Sequence, residues 1–137
     1  MKTDIKTIAS FIAAAIWADA EYNEAEKEAV KEIAEALEFK EDEFIKCVDG
    51  EIAKIKKYSA EKATEYIVEA SEKVDDEEIG ILMEAVLQVI ISDNVLSYDE
   101  MTNIMAIADA LGVEHQYAIL MVADLVKTEP ELEISFE

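Results

Sequence analysis

The sequence predicts an all-α domain of about seven helices, and three observations carry that expectation. Apolar residues recur at three- and four-residue intervals almost throughout. Alternation of β-branched residues is nearly absent before the last few positions, and only three Gly and one Pro interrupt 137 residues. The length suits one domain, and 52% hydrophobic residues are enough to fill its core without disulfides.

The elements follow in order. A first helix is expected over 3–18, where the run from Ile8 to Trp17 is apolar nearly all round and therefore belongs at the centre of a bundle. The next, over 24–37, sets one stripe (Ala25, Ala29, Val30, Ile33, Ala36, Leu37) against a charged remainder and should face water on one side. Helices over 42–57 and 60–73 come next. The fifth, over 76–92, is again apolar all round between Ile79 and Ile91 and should join the first at the centre. Helices over 98–111 and 114–127 complete the set. Asn23, Ser59, Asp75 and Ser97 are good N-cap types, and Gly112 follows Leu111 where a helix end favours a left-handed residue. After Pro130 the chain alternates acidic and apolar residues, which predicts a frayed or loosely docked end, with a short extended segment docked on a groove as the alternative. The expected organisation is a helical domain over 1–127 and an acidic tail over 128–137.

Charge narrows the partners. Thirty-three Asp and Glu against twelve Lys and no Arg give a net charge of −21. Such a surface repels phosphate backbones and anionic lipid, so neither nucleic acid nor a membrane is an expected partner. The lone Cys47 offers no disulfide within the chain and no zinc ligand set, and reads as a small buried hydrophobe in a reducing compartment. Lys2 and Lys6 ahead of the apolar run, with Ala18-Asp19-Ala20 behind it, look a little like a signal peptide. Asp4 inside the basic stretch argues against one, and the run is too short to span a bilayer, so a cytoplasmic location is expected.

Shifting the chain by 74 residues aligns 19–53 with 93–127 without a gap, and eight positions are identical. Six of these are small or aliphatic residues at helical spacing, which packing alone would select. The others are Asp19/Asp93 and Glu26/Glu100. Each repeat spans three helices, with 60–73 as the bridge, and pseudo-twofold packing of the halves is the natural expectation. With Asn23 and Ser97 as N-caps, Glu26 and Glu100 occupy the third helical position and can reach back to the cap N–H as a capping box. Leu96 and Met101 also fit a hydrophobic staple in the second copy.

Asp19 and Asp93 each follow an apolar helix, where the negative end of the dipole opposes an anion by roughly 0.3–1 kcal/mol. The N–H groups opening the next helix offer one compensation. A divalent cation offers another, held by Asp19 and Glu26 with Glu21 or Glu24 in one copy, and by Asp93 and Glu100 with Asp99 in the other. Neither turn is an EF-hand, since the twelfth residues, Val30 and Ile104, cannot supply the bidentate carboxylate.

The stretches Ala18-Asp19-Ala20-Glu21-Tyr22-Asn23-Glu24-Ala25-Glu26 and Ser92-Asp93-Asn94-Val95-Leu96-Ser97-Tyr98-Asp99-Glu100 resemble two copies of the signature of TerB-like (tellurite-resistance TerB) domains, in which Ala-Asp-Gly precedes a cap residue and a Glu. The resemblance covers essentially the whole chain. It implies an all-α fold with duplicated halves, a bacterial stress-associated or co-chaperone-linked binding module without enzymatic activity, and acidic residues that hold metal. Ala20 and Asn94 stand where the family has Gly; Asn tolerates a left-handed backbone, Ala poorly.

Catalytic chemistry is thinly represented. His115 opens the last helix as an ordinary surface residue, Gly50, Gly80 and Gly112 are too far apart for a phosphate loop, and no residue is singled out as catalytic. Lys54, Lys56, Lys57 and Lys62 suit a helix end and could contact an acidic partner. A non-enzymatic module with a protein partner is therefore expected, with a divalent-metal sensor or buffer as the alternative. A hydrolase using paired carboxylates ranks last.

Overall fold

Asp4 starts the first helix: its carboxylate accepts the Thr7 backbone N–H at 2.7 Å, so the helix begins at Ile5. The computed structural model describes residues 2–17, 22–92, 95–128 and 133–134. Its order is α1 (Ile5–Trp17), α2 (Glu24–Ala36), α3 (Glu41–Ile55), α4 (Ala60–Ser71), α5 (Ile79–Ile90), α6 (Tyr98–Leu111) and α7 (His115–Thr128), with short strands β1 (Val95–Leu96) and β2 (Glu133–Ile134). The chain is all-α, with seven helices among the described residues. The expected fifth helix opens as a 3₁₀ turn over Asp76–Glu78, because the Asp75 carboxylate caps the N–H of Glu77 and winds the first turn tightly.

Packing follows from the apolar content of two helices. α1 buries Ile8, Phe11, Ile12 and its alanines, and α5 buries Leu82, Met83, Val86 and Val89. The two pack against each other; α1 also contacts α3, α4 and α6, and α5 contacts α2 and α6. The small side chains of α1 permit this close approach on several faces. Asn23, Ser59 and Ser97 each cap a helix as expected.

α2 and α6 are closed alike at both ends. Their capping boxes lie 74 residues apart, at Asn23–Glu26 and Ser97–Glu100. At the other end, Phe39 N–H donates to the Ala34 carbonyl at 2.9 Å and Val113 N–H to that of Ala108 at 2.8 Å, again 74 residues apart. The turn residue has positive φ in both, 61° at Glu38 and 74° at Gly112. α3 and α7 differ, however. α3 lies along α1 over much of its length, whereas a cleft of about 380 Å³ separates α5, on the Leu87 and Ile91 side, from Met121 and Leu125 of α7.

Two expectations change. Residues 133–134 are not frayed: Glu133 and Ile134 pair in parallel with Val95 and Leu96 beside the entrance of α6, and 129–132 and 135–137 lie outside the described residues. Backbone groups at Val95 and Leu96 thereby gain partners that a loop would have left to water. Cys47 is half-buried against the core rather than fully enclosed. Among the described residues, no helix is long and apolar enough to cross a membrane.

Candidate functional site

The two acidic turns resolve first into caps. Asn23 N–H donates to Glu26 Oε1 at 3.0 Å and Glu26 N–H returns to Asn23 Oδ1 at 2.9 Å; Ser97 and Glu100 exchange the same bonds at 3.0 and 3.1 Å. Both glutamates are buried. This reciprocal bonding satisfies two orphan donors at each helix start and fixes one carboxylate oxygen of each Glu in place. Asp19 and Asp93 lie outside the described residues, as do Glu21 and the glycine-replacing Ala20 and Asn94. Glu24 pairs with Lys27 on the surface, and Asp99 is exposed on the first turn of α6. Among the described residues, no three His, Cys, Asp or Glu side chains converge as a metal cluster.

The first turn has a negative neighbour that the sequence did not suggest. Burial, together with the charges of Asp49 and Glu26, pushes the Tyr22 phenol up to about 12. Asp49 comes from α3, and the repeat places Ala123 at the corresponding position, so this feature belongs to the first copy alone.

A second polar cluster sits between α1, α3 and α4. Glu51 is buried, accepts from Ser10 Oγ at 3.3 Å, and pairs with Lys54 at 3.2 Å. Tyr66 projects toward it; burial pushes its phenol up to about 12, and the hydroxyl completes no hydrogen bond with its neighbours. These groups edge a cavity of about 210 Å³ that Lys6 and Lys73 also line. A signal for Glu51 is present in the sequence: Phe44, Val48 and Ile55 make the buried stripe of α3, and Glu51 occupies the position in that stripe where an apolar residue belongs. The repeat has Leu125 there.

The lysine cluster divides on inspection. Lys54 is spent on Glu51 and Lys62 lies over the Tyr58 ring at 4.7 Å, which leaves Lys56 and Lys57 as exposed residues at the end of α3. His115, exposed at the start of α7, pairs with Asp109.

Two apolar features complete the survey. Along α7, Tyr117, Ile119 and Leu120 are 65, 53 and 66% exposed, while Ala118 and Val122 are its buried residues. Between α1, α4 and α6 lies a cleft of about 400 Å³, lined by Trp17, by the α4 stripe Ala60, Ala63, Thr64 and Ile67, and by the α6 stripe Asp99, Thr102, Asn103 and Ala106. Comparison with known proteins finds no matching family model, no matching curated protein and no matching solved structure.

Proposed function

We propose that this chain is a non-enzymatic, cytoplasmic binding or scaffold module of the TerB-like kind that engages a protein partner. The exposed apolar row of α7 carries the reading. Three large hydrophobic side chains, Tyr117, Ile119 and Leu120, clustered within about one turn of α7 and each more than half exposed, form the kind of surface that soluble domains keep for interaction. Set in a chain of charge −21, the row fits a partner whose own apolar patch is ringed by Lys and Arg. Capture from bacterial extract tests it, with the double substitution Tyr117→Ser and Leu120→Ser beside the parent. The expected outcome is a partner recovered at low salt, weakened by added salt, and lost with the double variant while its helical circular dichroism is unchanged. A partner retained by that variant overturns the assignment to α7.

The turns favour a second reading, a divalent-metal sensor or buffer using Asp19, Glu26, Asp93 and Glu100. Its support is the buried, cap-held position of both glutamates, with the Asp49 carboxylate near Tyr22 adding to the burial that raises the Tyr22 phenol. Calorimetric titration with calcium, magnesium, manganese and zinc should then give discrete sites that Asp19→Asn and Asp93→Asn remove. A flat titration of the parent ends this reading and leaves the first one standing.

A further inference from the structure

The cleft between α1, α4 and α6 has a hydrogen-bonding character that its residue types alone do not reveal. Asn103 is nine-tenths buried, and its Nδ2 donates to the Ala14 carbonyl at 2.9 Å. That bond fixes the amide orientation and leaves Oδ1 and the second N–H of Nδ2 to the cleft. Thr64 spends its hydroxyl proton on the Ala60 carbonyl at 2.9 Å, and Thr102 spends its own on Tyr98 at 3.1 Å. Both hydroxyls therefore turn lone pairs outward. Asp99 adds a carboxylate on the α6 side. Apart from the Trp17 indole N–H and one Asn103 N–H, the polar side chains that line this cleft among the described residues present acceptors, and no Lys or His is among them. The remaining wall is apolar, and about 400 Å³ lies toward the small end of the range for small-molecule sites.

We propose that this cleft binds a small organic ammonium with an apolar body, its N–H donors meeting Asp99 and the Asn103 oxygen and its carbon skeleton lying along Trp17 and the alanine-rich stripes. An ammonium supplies donors only, which matches a lining where the Asp99 carboxylate, the Thr64 and Thr102 hydroxyl oxygens and the Asn103 oxygen outnumber the donors left over, the Trp17 indole N–H and one Asn103 N–H. An anion would meet Asp99 and a net charge of −21, and a neutral apolar molecule would leave the acceptors unpaired in a partly desolvated site. The inference goes beyond the function proposed above and does not depend on α7; it shares only Asp99 with the second acidic turn.

Trp17 is the single tryptophan of the chain, so its fluorescence reports occupancy of the cleft directly. The probes are 2-phenylethylammonium, the neutral 2-phenylethanol and the anionic 3-phenylpropionate, with calorimetry as an independent readout of binding. The expected result is a saturable spectral change and heat with the ammonium, a weaker response to the alcohol and none to the carboxylate. Asp99→Asn should weaken the ammonium by about fivefold, the factor expected for one exposed charge contact. Glu65→Gln removes the same charge from the outer face of α4 and should leave the affinity unchanged. Ala106→Phe should occlude the cleft and abolish the response. If that variant fails to fold, the Asp99 and Glu65 pair still decides the matter. Equal responses to the three probes, no saturable response to the ammonium, or equal weakening by Asp99→Asn and Glu65→Gln would each overturn the proposal, the last because it would show attraction to the general field of the surface.

Discussion

Glu78 ties the start of the chain to the start of the 3₁₀ turn. Its carboxylate accepts the Thr3 hydroxyl and backbone N–H, both at 2.7 Å, and the Lys2 N–H at 3.0 Å, while Thr3 Oγ1 accepts the Asp75 N–H. The Thr3 hydroxyl, helped by these backbone donors, holds the Glu78 carboxyl below its ordinary value of 4.5. A lowered carboxyl pKa means that the unfolded chain binds the proton more readily. The stabilisation is therefore complete above 4.5 and is lost as pH falls through the folded-state value. Glu78→Gln should lower the thermal midpoint at neutral pH, and the gap from the parent should narrow progressively as pH drops below 4.5. A gap that stays constant into acid would show that the charge on Glu78 contributes nothing. Glu51 carries a related lesson: the sequence places it in an apolar stripe with Lys54 three residues on along the same helix, but only the packed helices show that Ser10 of α1 arrives to partner it.

Helix ends were legible to different depths. Four capping residues could be named from type and position, because a cap is settled within three or four residues of itself. The matching left-handed turns were half legible: Gly112 announces one, whereas Glu38 conceals the other. Glu38 adopts φ of 61°, where an L side chain costs roughly 1–2 kcal/mol, because Phe39 N–H must reach the Ala34 carbonyl to close α2. Glu38→Gly relieves that strain while adding some freedom to the unfolded chain, and should raise stability by up to about 1 kcal/mol in chemical denaturation. Gly112→Ala, at the equivalent position, should shift stability in the opposite direction. A loss of stability in Glu38→Gly would mean that the Glu side chain, rather than the backbone turn, supports the end of α2.

Across the molecule, α2 and α6 share their end geometry, while the other helices differ in how deeply they are buried. α1 buries most of its residues because it sits among α3, α4, α5 and α6, while α7 buries only Ala118 and Val122 and leaves a cleft beside α5. Residues 133–134 pair with β1 at the opening of α6. Truncation after Thr128 removes β2, and amide exchange at Val95 and Leu96 should then accelerate while that of α1 and α5 stays unchanged. Unchanged protection at 95–96 would mean that the parallel pairing adds nothing to the order of this turn.

Periodicity and cap chemistry in the sequence alone determined the all-α architecture, the seven helices to within a few residues, the central place of α1 and α5, and the capping role of Glu26 and Glu100. Each of these follows from interactions within a turn or two of helix, or from the apolar content of a single segment. The pairing of residues 133–134 with β1, the contact of Ser10 with Glu51 and the acceptor-lined cleft were decided only by folding. Each joins side chains or backbone from segments far apart in the chain, as Asn103 meets Ala14 and Thr64 faces Asp99. Which donors are spent there, and which acceptors remain for a ligand, depends on how the helices pack, which no local pattern records.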